Sequence, residues 1–214
     1  MQERSFVGAW SRLVSGVVLF GLGVTLMIRS NLGLGPWDMF HQGLFFLTGI
    51  SIGSVSILVG LAIFVLLWPF GVRPRWGSLV NMITVGLVID LSLPYVRPAP
   101  APIFGLGYHL AGIVIAGFGT GLYVSGHLGA GPRDSLMLTM SARTGWSVRR
   151  VRTIIEMGVL GLGWLMGGTL GLGTLLFALL IGPVVQWSLQ TCDPEIMPRE
   201  HVATPRREAV PEAT

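Results

Sequence analysis

The sequence is poor in charged residues, contains no lysine and has a single cysteine. Charged residues make up 11% of the 214 residues, whereas 51% are hydrophobic; an ordinary soluble domain has about a quarter charged residues. The lone Cys192 excludes an intrachain disulfide and leaves a structural zinc site without its usual thiolates. The basic residues are all arginines that lie between apolar runs, which argues against a nucleic-acid-binding surface. We therefore expect the lipid bilayer to be the solvent of this chain.

The motifs of catalysis and metal binding are also missing. The histidines show no i, i+4 pair and no HExxH, so we expect no metal site. The glycine-rich stretches lack the lysine of a P-loop, and there is no G-x-S-x-G elbow. Because no nucleophile–base pair can be assembled from these residues, we predict that the protein is not an enzyme and needs no cofactor.

Six apolar segments are long enough to cross a bilayer, which takes about 20 residues for a core of about 30 Å. In chain order they are Trp10–Ile28, Ile52–Phe70, Trp76–Leu93, Phe104–Val124, Val151–Met166 and Leu170–Leu189. If both termini are cytoplasmic, every arginine except Arg29 and Arg97 falls on the inner side, as the positive-inside rule requires. We predict a multi-pass protein of the bacterial inner membrane with both termini in the cytoplasm.

The sequence repeats itself at a spacing of 96 residues. Gly21–Leu93 aligns with Gly117–Leu189 without a gap and is identical at roughly twenty positions. Because each half holds three spans, the second half must cross in the opposite direction, as in many secondary transporters. We predict an all-α polytopic membrane protein with six transmembrane helices in two inverted three-helix repeats, each with a short extra half-helix after the first span.

The repeat also sets the predicted domain boundaries. Residues 10–93 form the first membrane repeat and residues 104–190 the second, joined by a proline-rich connector at 94–103. The tail, residues 191–214, holds few apolar residues, and we expect it to be a disordered cytoplasmic segment.

The densest match between the halves is a loop motif. NLGLGPWD, Asn31–Asp38, aligns with HLGAGPRD, His127–Asp134, and each copy is followed by T-G-x-S. These paired motifs resemble the YczE/YyaS/YitT group of bacterial integral membrane proteins over nearly all of residues 10 to 190. The resemblance implies a multi-span bacterial membrane protein, with transport the suspected activity.

Two interpretations of these loops stay open. Pro36 and Pro132 suit the first position of a helix, and Asp38 and Asp134 would then stabilise its first turn. Alternatively, the helices are re-entrant or interfacial half-helices whose N-terminal ends form a substrate or ion site. The candidate residues are Asn31, Gly33, Gly35, Pro36, Asp38, His127, Gly129, Gly131, Pro132 and Asp134.

Two acids in the predicted spans are further candidates. Glu156 lies in the fifth span, and an acid inside a membrane is a functional-site hypothesis by default. Its alternative is pairing with Arg152, one helical turn earlier. Asp90, near the end of the third span, either joins the site or caps a helix.

Two functions from different classes fit this sequence. The first is a small secondary transporter or permease whose inverted halves move around a site for a small molecule or ion. The second is an accessory membrane protein that stabilises or regulates a partner without transporting anything. The lipid bilayer is the one partner common to both, and a homodimer is compatible with a chain of six spans. No nucleic-acid partner is expected.

Overall fold

The computed structural model describes residues 6–129 and 131–193, and this part of the chain contains eight α-helices and no strand. They are α1 (Phe6–Ser30), α2 (Pro36–Thr48), α3 (Ile52–Leu67), α4 (Trp76–Ser92), α5 (Pro102–Val124), α6 (Pro132–Thr144), α7 (Val148–Leu165) and α8 (Leu172–Cys192). The all-helical class predicted from the sequence is thus confirmed. Most of the predicted disordered tail, residues 194–214, lies outside the described residues.

Four helices in the described part are long and apolar enough to cross a bilayer. They are Phe6–Ser30, Ile52–Phe70 (α3 with the 3-10 turn that follows it), Pro102–Val124 and Leu172–Cys192. Of the other two predicted spans, α4 is apolar but has only 17 residues, and α7 begins with the arginine-rich turn around Arg150. Four of the six predicted spans therefore have the length and apolar composition that a membrane crossing needs.

Backbone conformation follows the same spacing of 96 residues as the sequence. The helices α2 and α6 each have 13 residues and start 96 positions apart, at Pro36 and Pro132. The positive-φ residues of the described chain also fall into pairs at this spacing. They are Asn31 and His127 (55° and 54°), Gly33 and Gly129 (109° and 137°), Gly49 and Gly145 (73° and 70°), and Gly71 and Gly167 (77° and 91°).

The short helix α2 has sequence signals at both ends. Gly35 is extended and Pro36 occupies the first helical turn, where its missing N–H has no intrahelical partner to lose. Asp38 follows within the first turn, as predicted. Gly49 ends the helix in the left-handed conformation and donates its N–H to the Phe45 carbonyl. The helix therefore spans fewer residues than a bilayer crossing needs.

A seam of glycines joins α1 to α5 at the centre of the bundle. A methyl group at Gly16 would lie 2.7 Å from the Gly119 carbonyl oxygen, and one at Gly23 would lie 2.6 Å from that of Gly112. Gly112 and Gly119 are the counterparts of Gly16 and Gly23 at the spacing of 96. Such close backbone contact is how small residues bring membrane helices together.

The two outer helix pairs differ, although they correspond in sequence. Along α3, Gly53 meets the backbone of Gly86 so closely that a side chain at either position would clash. Their counterparts on α7 and α8 are Arg149 and Gly182, and nothing lies within 4 Å of a methyl group built at Gly182. In the described chain α3 therefore packs along α4, whereas α7 and α8 make no comparable contact.

Candidate functional site

A cavity of about 570 Å³ lies where the N-terminal ends of α2 and α6 meet. All eight helices contribute to its walls. Its polar lining residues are Asp38, His41, Ser56, Asn81, Thr120, Tyr123, Arg133, Asp134, Arg152, Glu156 and Gln186. The apolar walls include Phe20, Val59, Ile63, Met82, Val85, Met137, Phe177, Ile181 and Val185. A mainly apolar cavity with a few convergent polar groups is typical of a small-molecule site.

The two copies of the loop motif meet in this cavity through Arg133. Its guanidinium lies 5.1 Å from the ring centroid of Trp37, the residue that occupies the same motif position in the first copy. A guanidinium over an indole face is a favourable cation–π arrangement. Arg133 Nη2 also lies 3.8 Å from Asp38 Oδ1. The two GxGPxD motifs differ chemically at one position, which is Trp37 in the first copy and Arg133 in the second, and these two residues make the contact between the motifs.

The two motif aspartates have different surroundings. Asp134 lies in the first turn of α6, where the Gly131 backbone N–H and the helix N-terminus stabilise its carboxylate. Asp38, whose side chain is 8% exposed, has Arg133 Nη2 at 3.8 Å and His41 Nδ1 at 3.9 Å. Both distances are longer than a hydrogen bond. The capping interpretation thus accounts for Asp134. Asp38 is a buried acid whose neighbours Arg133 and His41 lie near it without hydrogen bonding to it.

Trp37 and His41, which line the cavity beside Asp38, each have an unsatisfied nitrogen that the protein encloses. Trp37 Nε1 and His41 Nε2 are enclosed, and neither has a hydrogen-bond partner in the part of the chain that the structure describes. Buried polar groups are nearly always paired, so two such atoms one helical turn apart mark an unusual place. Sequence reasoning missed His41, because it treated the histidines only as metal ligands. Its spacing of three and four residues from Asp38 and Trp37 is the signal that places all three on one face.

Glu156 lines the cavity together with Arg152. The Arg152 Nε donates to Glu156 Oε1 at 2.8 Å, and the two side chains are 59% and 29% exposed. The acid in the fifth predicted span is therefore paired in the way that its alternative interpretation predicts, while remaining on the wall of the cavity.

The other sequence candidates divide into two groups. Gly35, Pro36, Gly131 and Pro132 line the cavity with the aspartates. Asn31, Gly33, His127 and Gly129 belong to the turns before α2 and α6 and lie outside the cavity lining. The turn glycines have packing roles instead. Gly33 lies against Gly171 and Thr174 at the start of α8, and Gly129 lies against the counterpart residues Arg75 and Ser78 at the start of α4. His127 Nε2 lies 2.7 Å from Asp193 Oδ2.

Asp90 also lies outside the cavity and caps α3. Its carboxylate accepts the backbone N–H of Gly53 at 2.8 Å and that of Ser54 at 3.0 Å. It also accepts the hydroxyls of Ser51 at 2.5 Å and Ser54 at 3.1 Å. Asp90 therefore fastens the start of α3 to the end of α4, which is the capping role that the sequence left open.

No group of three or more His, Cys, Asp or Glu side chains is arranged to hold a metal ion among residues 6–129 and 131–193. The chemistry that the described cavity offers is therefore hydrogen bonding, charge and apolar contact.

An all-helical chain with four helices long and apolar enough to cross a bilayer, arranged around a partly polar cavity, indicates a helical membrane protein. The chain belongs to DUF6198, a family of unknown function whose model matches residues 8–190. It is 36% identical to the uncharacterized membrane protein YczE of Bacillus subtilis (strain 168), over 99% of this chain and 98% of that protein.

Two further relatives are similar over most of their length. An uncharacterized protein of Haemophilus influenzae is 39% identical over 84% of this chain and 82% of its own. The uncharacterized protein YyaS of Bacillus subtilis is 28% identical over 78% of this chain and 85% of its own. The resemblance to a YczE-type family is thereby confirmed. No solved structure matches the chain.

Proposed function

We propose that the protein is a small-molecule secondary transporter of the bacterial inner membrane, whose central cavity opens to one side of the membrane at a time. The observation that carries this proposal is the unequal packing of two corresponding helix pairs, α3 with α4 and α7 with α8. The cavity between the GxGPxD loops is the proposed substrate site.

The proposed topology has six spans, with α2 and α6 as half-helices that enter the membrane without crossing it. Three spans in each half make the halves inverted, so the first loop motif approaches from outside and the second from inside. The arginines support this orientation, because all but Arg29 and Arg97 then lie on the cytoplasmic side.

In an inverted repeat, a conformational difference between the halves is a difference between the two sides of the membrane. With α3 packed on α4, the proposed outer side of the cavity is closed. With α7 and α8 apart, the proposed cytoplasmic side is open. If α3 leaves α4 and α7 approaches α8, the opening changes sides while the loop site stays in place, which is the alternating access that a transporter needs. The approach of α7 to α8 has to be less close than that of α3 to α4, because Arg149 stands where α3 has Gly53.

The second half has a hydrogen-bond acceptor, Gln186, at the position where Asp90 holds the helices of the first half together. Asp90 holds α3 to α4, and Gln186 is its counterpart on α8. In the proposed opposite state, the Gln186 carbonyl oxygen accepts from the first turn of α7, as Asp90 does from that of α3. The neutral amide makes this second contact weaker than the first, because hydrogen bonds to charged groups are the stronger ones.

Distance measurements between spin labels test the proposal. The chain's only cysteine, Cys192, is replaced by serine, and two matched cysteine pairs are introduced at exposed positions: Leu58 with Ile83, and Ile154 with Leu179. The second pair stands 96 residues after the first. We expect a longer distance for the α7–α8 pair, and in lipid a second population in which the order is reversed. One fixed distance for each pair, in lipid, in detergent and after Asp90→Asn, would refute alternating access.

A surface groove favours the accessory-protein alternative. It is lined by Trp146, Arg149, Arg150, Thr153 and Ile154 at the start of α7. Arginine and tryptophan are both enriched at protein interfaces. Pull-downs with Arg149→Gln/Arg150→Gln, against Arg73→Gln/Arg75→Gln as the matched control, test this alternative. A single partner protein lost only with the first variant would support it, and a chain that purifies alone would not.

A further inference from the structure

We propose that the cavity takes a protonated amine, and that Asp38, His41 and Trp37 of α2 form the subsite that holds it. This inference rests on the proposed function and names the substrate class of the same cavity.

The described cavity walls carry one more acidic side chain than they carry guanidiniums. Three carboxylates (Asp38, Asp134 and Glu156) face two guanidiniums (Arg133 and Arg152). Arg152 is engaged by Glu156 at 2.8 Å. Arg133 is therefore the one guanidinium of the lining left beside both motif aspartates. When all three acids are ionised, one charge is uncompensated, which is costly within a membrane protein, and a bound monocation removes that cost.

The space around Asp38 suits the N–H groups of an ammonium. The nearest charged or ionisable nitrogen atoms stand at 3.8 Å and 3.9 Å from its Oδ1, so neither makes a hydrogen bond to it. The carboxylate is nevertheless 92% buried, since its side chain is 8% exposed. It thus has unused acceptor capacity and lies on the wall of the cavity.

His41 supplies a second acceptor. The carboxylate of Asp38 beside Nδ1 favours the proton on that nitrogen, which leaves Nε2 with a free lone pair. This Nε2 is enclosed, has no partner among the described residues and belongs to a side chain that is 2% exposed. An ammonium N–H is the donor that it lacks.

Trp37 offers the opposite chemistry one turn away. Its Nε1–H is a donor without a partner in the described chain, while its ring face is covered by the Arg133 guanidinium. Two acceptors with negative charge next to one donor fit an amine that carries a hydroxyl or carbonyl near its nitrogen. The counterparts in the second repeat are Arg133, Asp134 and Met137, so the subsite exists on α2 alone.

The rest of the cavity lining favours an organic cation over a bare metal ion. The described residues hold no group of three or more His, Cys, Asp or Glu side chains placed to bind a metal. Aromatic and aliphatic residues such as Phe20, Phe177 and Ile181 make up much of the lining. An organic cation neutralises Asp38 and also buries apolar surface against these walls.

Binding of three isosteric probes to the detergent-purified full chain tests the inference. They are 2-phenylethylamine (cationic at neutral pH), 2-phenylethanol (neutral) and phenylacetate (anionic), with ethylamine and butylamine as smaller amines, each followed by calorimetry and by thermal stabilisation. We expect saturable binding of the amines alone. Asp38→Asn should weaken it by about tenfold or more. His41→Leu and Trp37→Phe should each weaken it by less. Asp193→Asn is the matched control, because this acid pairs with His127 outside the cavity, and it should leave binding nearly unchanged.

Each other outcome overturns the amine inference. The inference is wrong if no amine binds, or if the alcohol or the acid binds more tightly than the amines. It is also wrong if amine binding survives both Asp38→Asn and His41→Leu. Binding of the alcohol or acid in the cavity would leave the transporter proposal standing, as would exchange between the two label distances. If the distances are fixed as well, both proposals fail.

Discussion

Removal of the Asp90 carboxylate should destabilise the fold and loosen α3 from α4. Asp90 accepts hydrogen bonds from Ser51, Ser54 and the backbone of Gly53, at distances from 2.5 to 3.1 Å. Loss of a helix-capping side chain costs about 0.5–2 kcal/mol, and hydrogen bonds to a charged group are worth about 1.5–3 kcal/mol. Because Ser51 is exposed and Asp90 is only partly buried, solvent competes for these bonds. We expect Asp90→Ala to lower the free energy of unfolding by about 2 kcal/mol.

Thermal unfolding in detergent measures this change. For a chain of this size, 1 kcal/mol shifts the midpoint by about 2–4 °C, so Asp90→Ala should lower it by about 4–8 °C. The matched control is Gln186→Ala, at the counterpart position on α8, where α7 and α8 lie apart. It should change the free energy of unfolding by about 0.5 kcal/mol or less.

The comparison between the two variants decides the outcome. If Asp90→Ala and Gln186→Ala unfold at the same temperature, Asp90 does not hold α3 to α4 as described. If Gln186→Ala is the more destabilising variant, α7–α8 is the closed pair in solution, and the assignment of the open side is reversed. In the labelled protein, Asp90→Ala should also increase the population with α3 and α4 apart by roughly thirtyfold, the equivalent of about 2 kcal/mol.

Three other results are expected. Gly53→Ala should abolish the yield of folded protein or strongly lower the unfolding temperature, because the added methyl group meets the Gly86 carbonyl. Gly182→Ala should be tolerated, because nothing lies near a methyl group at that position. Size-exclusion profiles distinguish the two variants. In a double-mutant cycle, Arg133→Gln and Asp38→Asn should show a coupling energy of about 1 kcal/mol in thermal unfolding, because solvent weakens an ion pair whose arginine is partly exposed. Additive effects of the two substitutions would contradict the ion pair. Arg133→Lys should recover only part of the loss from Arg133→Gln, because the planar stacking on Trp37 is absent, as tryptophan fluorescence would report.

Local sequence signals predicted the helices and their ends well. Pro36 and Pro132 mark the first residues of α2 and α6, and the glycines after Leu165 mark the turn before α8, because these residues restrict or free their own backbone. The repeat spacing read from identities also holds for backbone conformation. Such features depend on neighbours in the chain, so one sequence contains enough information to place them.

Contacts between distant segments were beyond sequence reasoning. The pairing of Trp37 with Arg133 and the capping of α3 by Asp90 require helices from separate parts of the chain to meet at a particular register. His41 was overlooked for the same reason, since its unsatisfied nitrogen is evident only once its neighbours are in place. The low charge of the chain correctly indicated a bilayer but gave no information on which polar residues share a cavity.

The glycine seam between α1 and α5 restricts how this molecule can move. Because Gly16 and Gly23 touch opposing backbone, sliding one helix by a single residue would bring side chains into a space that holds none. The seam therefore fixes the register of α1 against α5. In the proposed transport cycle, changes in the shape of the cavity therefore come from the other helices moving around this fixed pair.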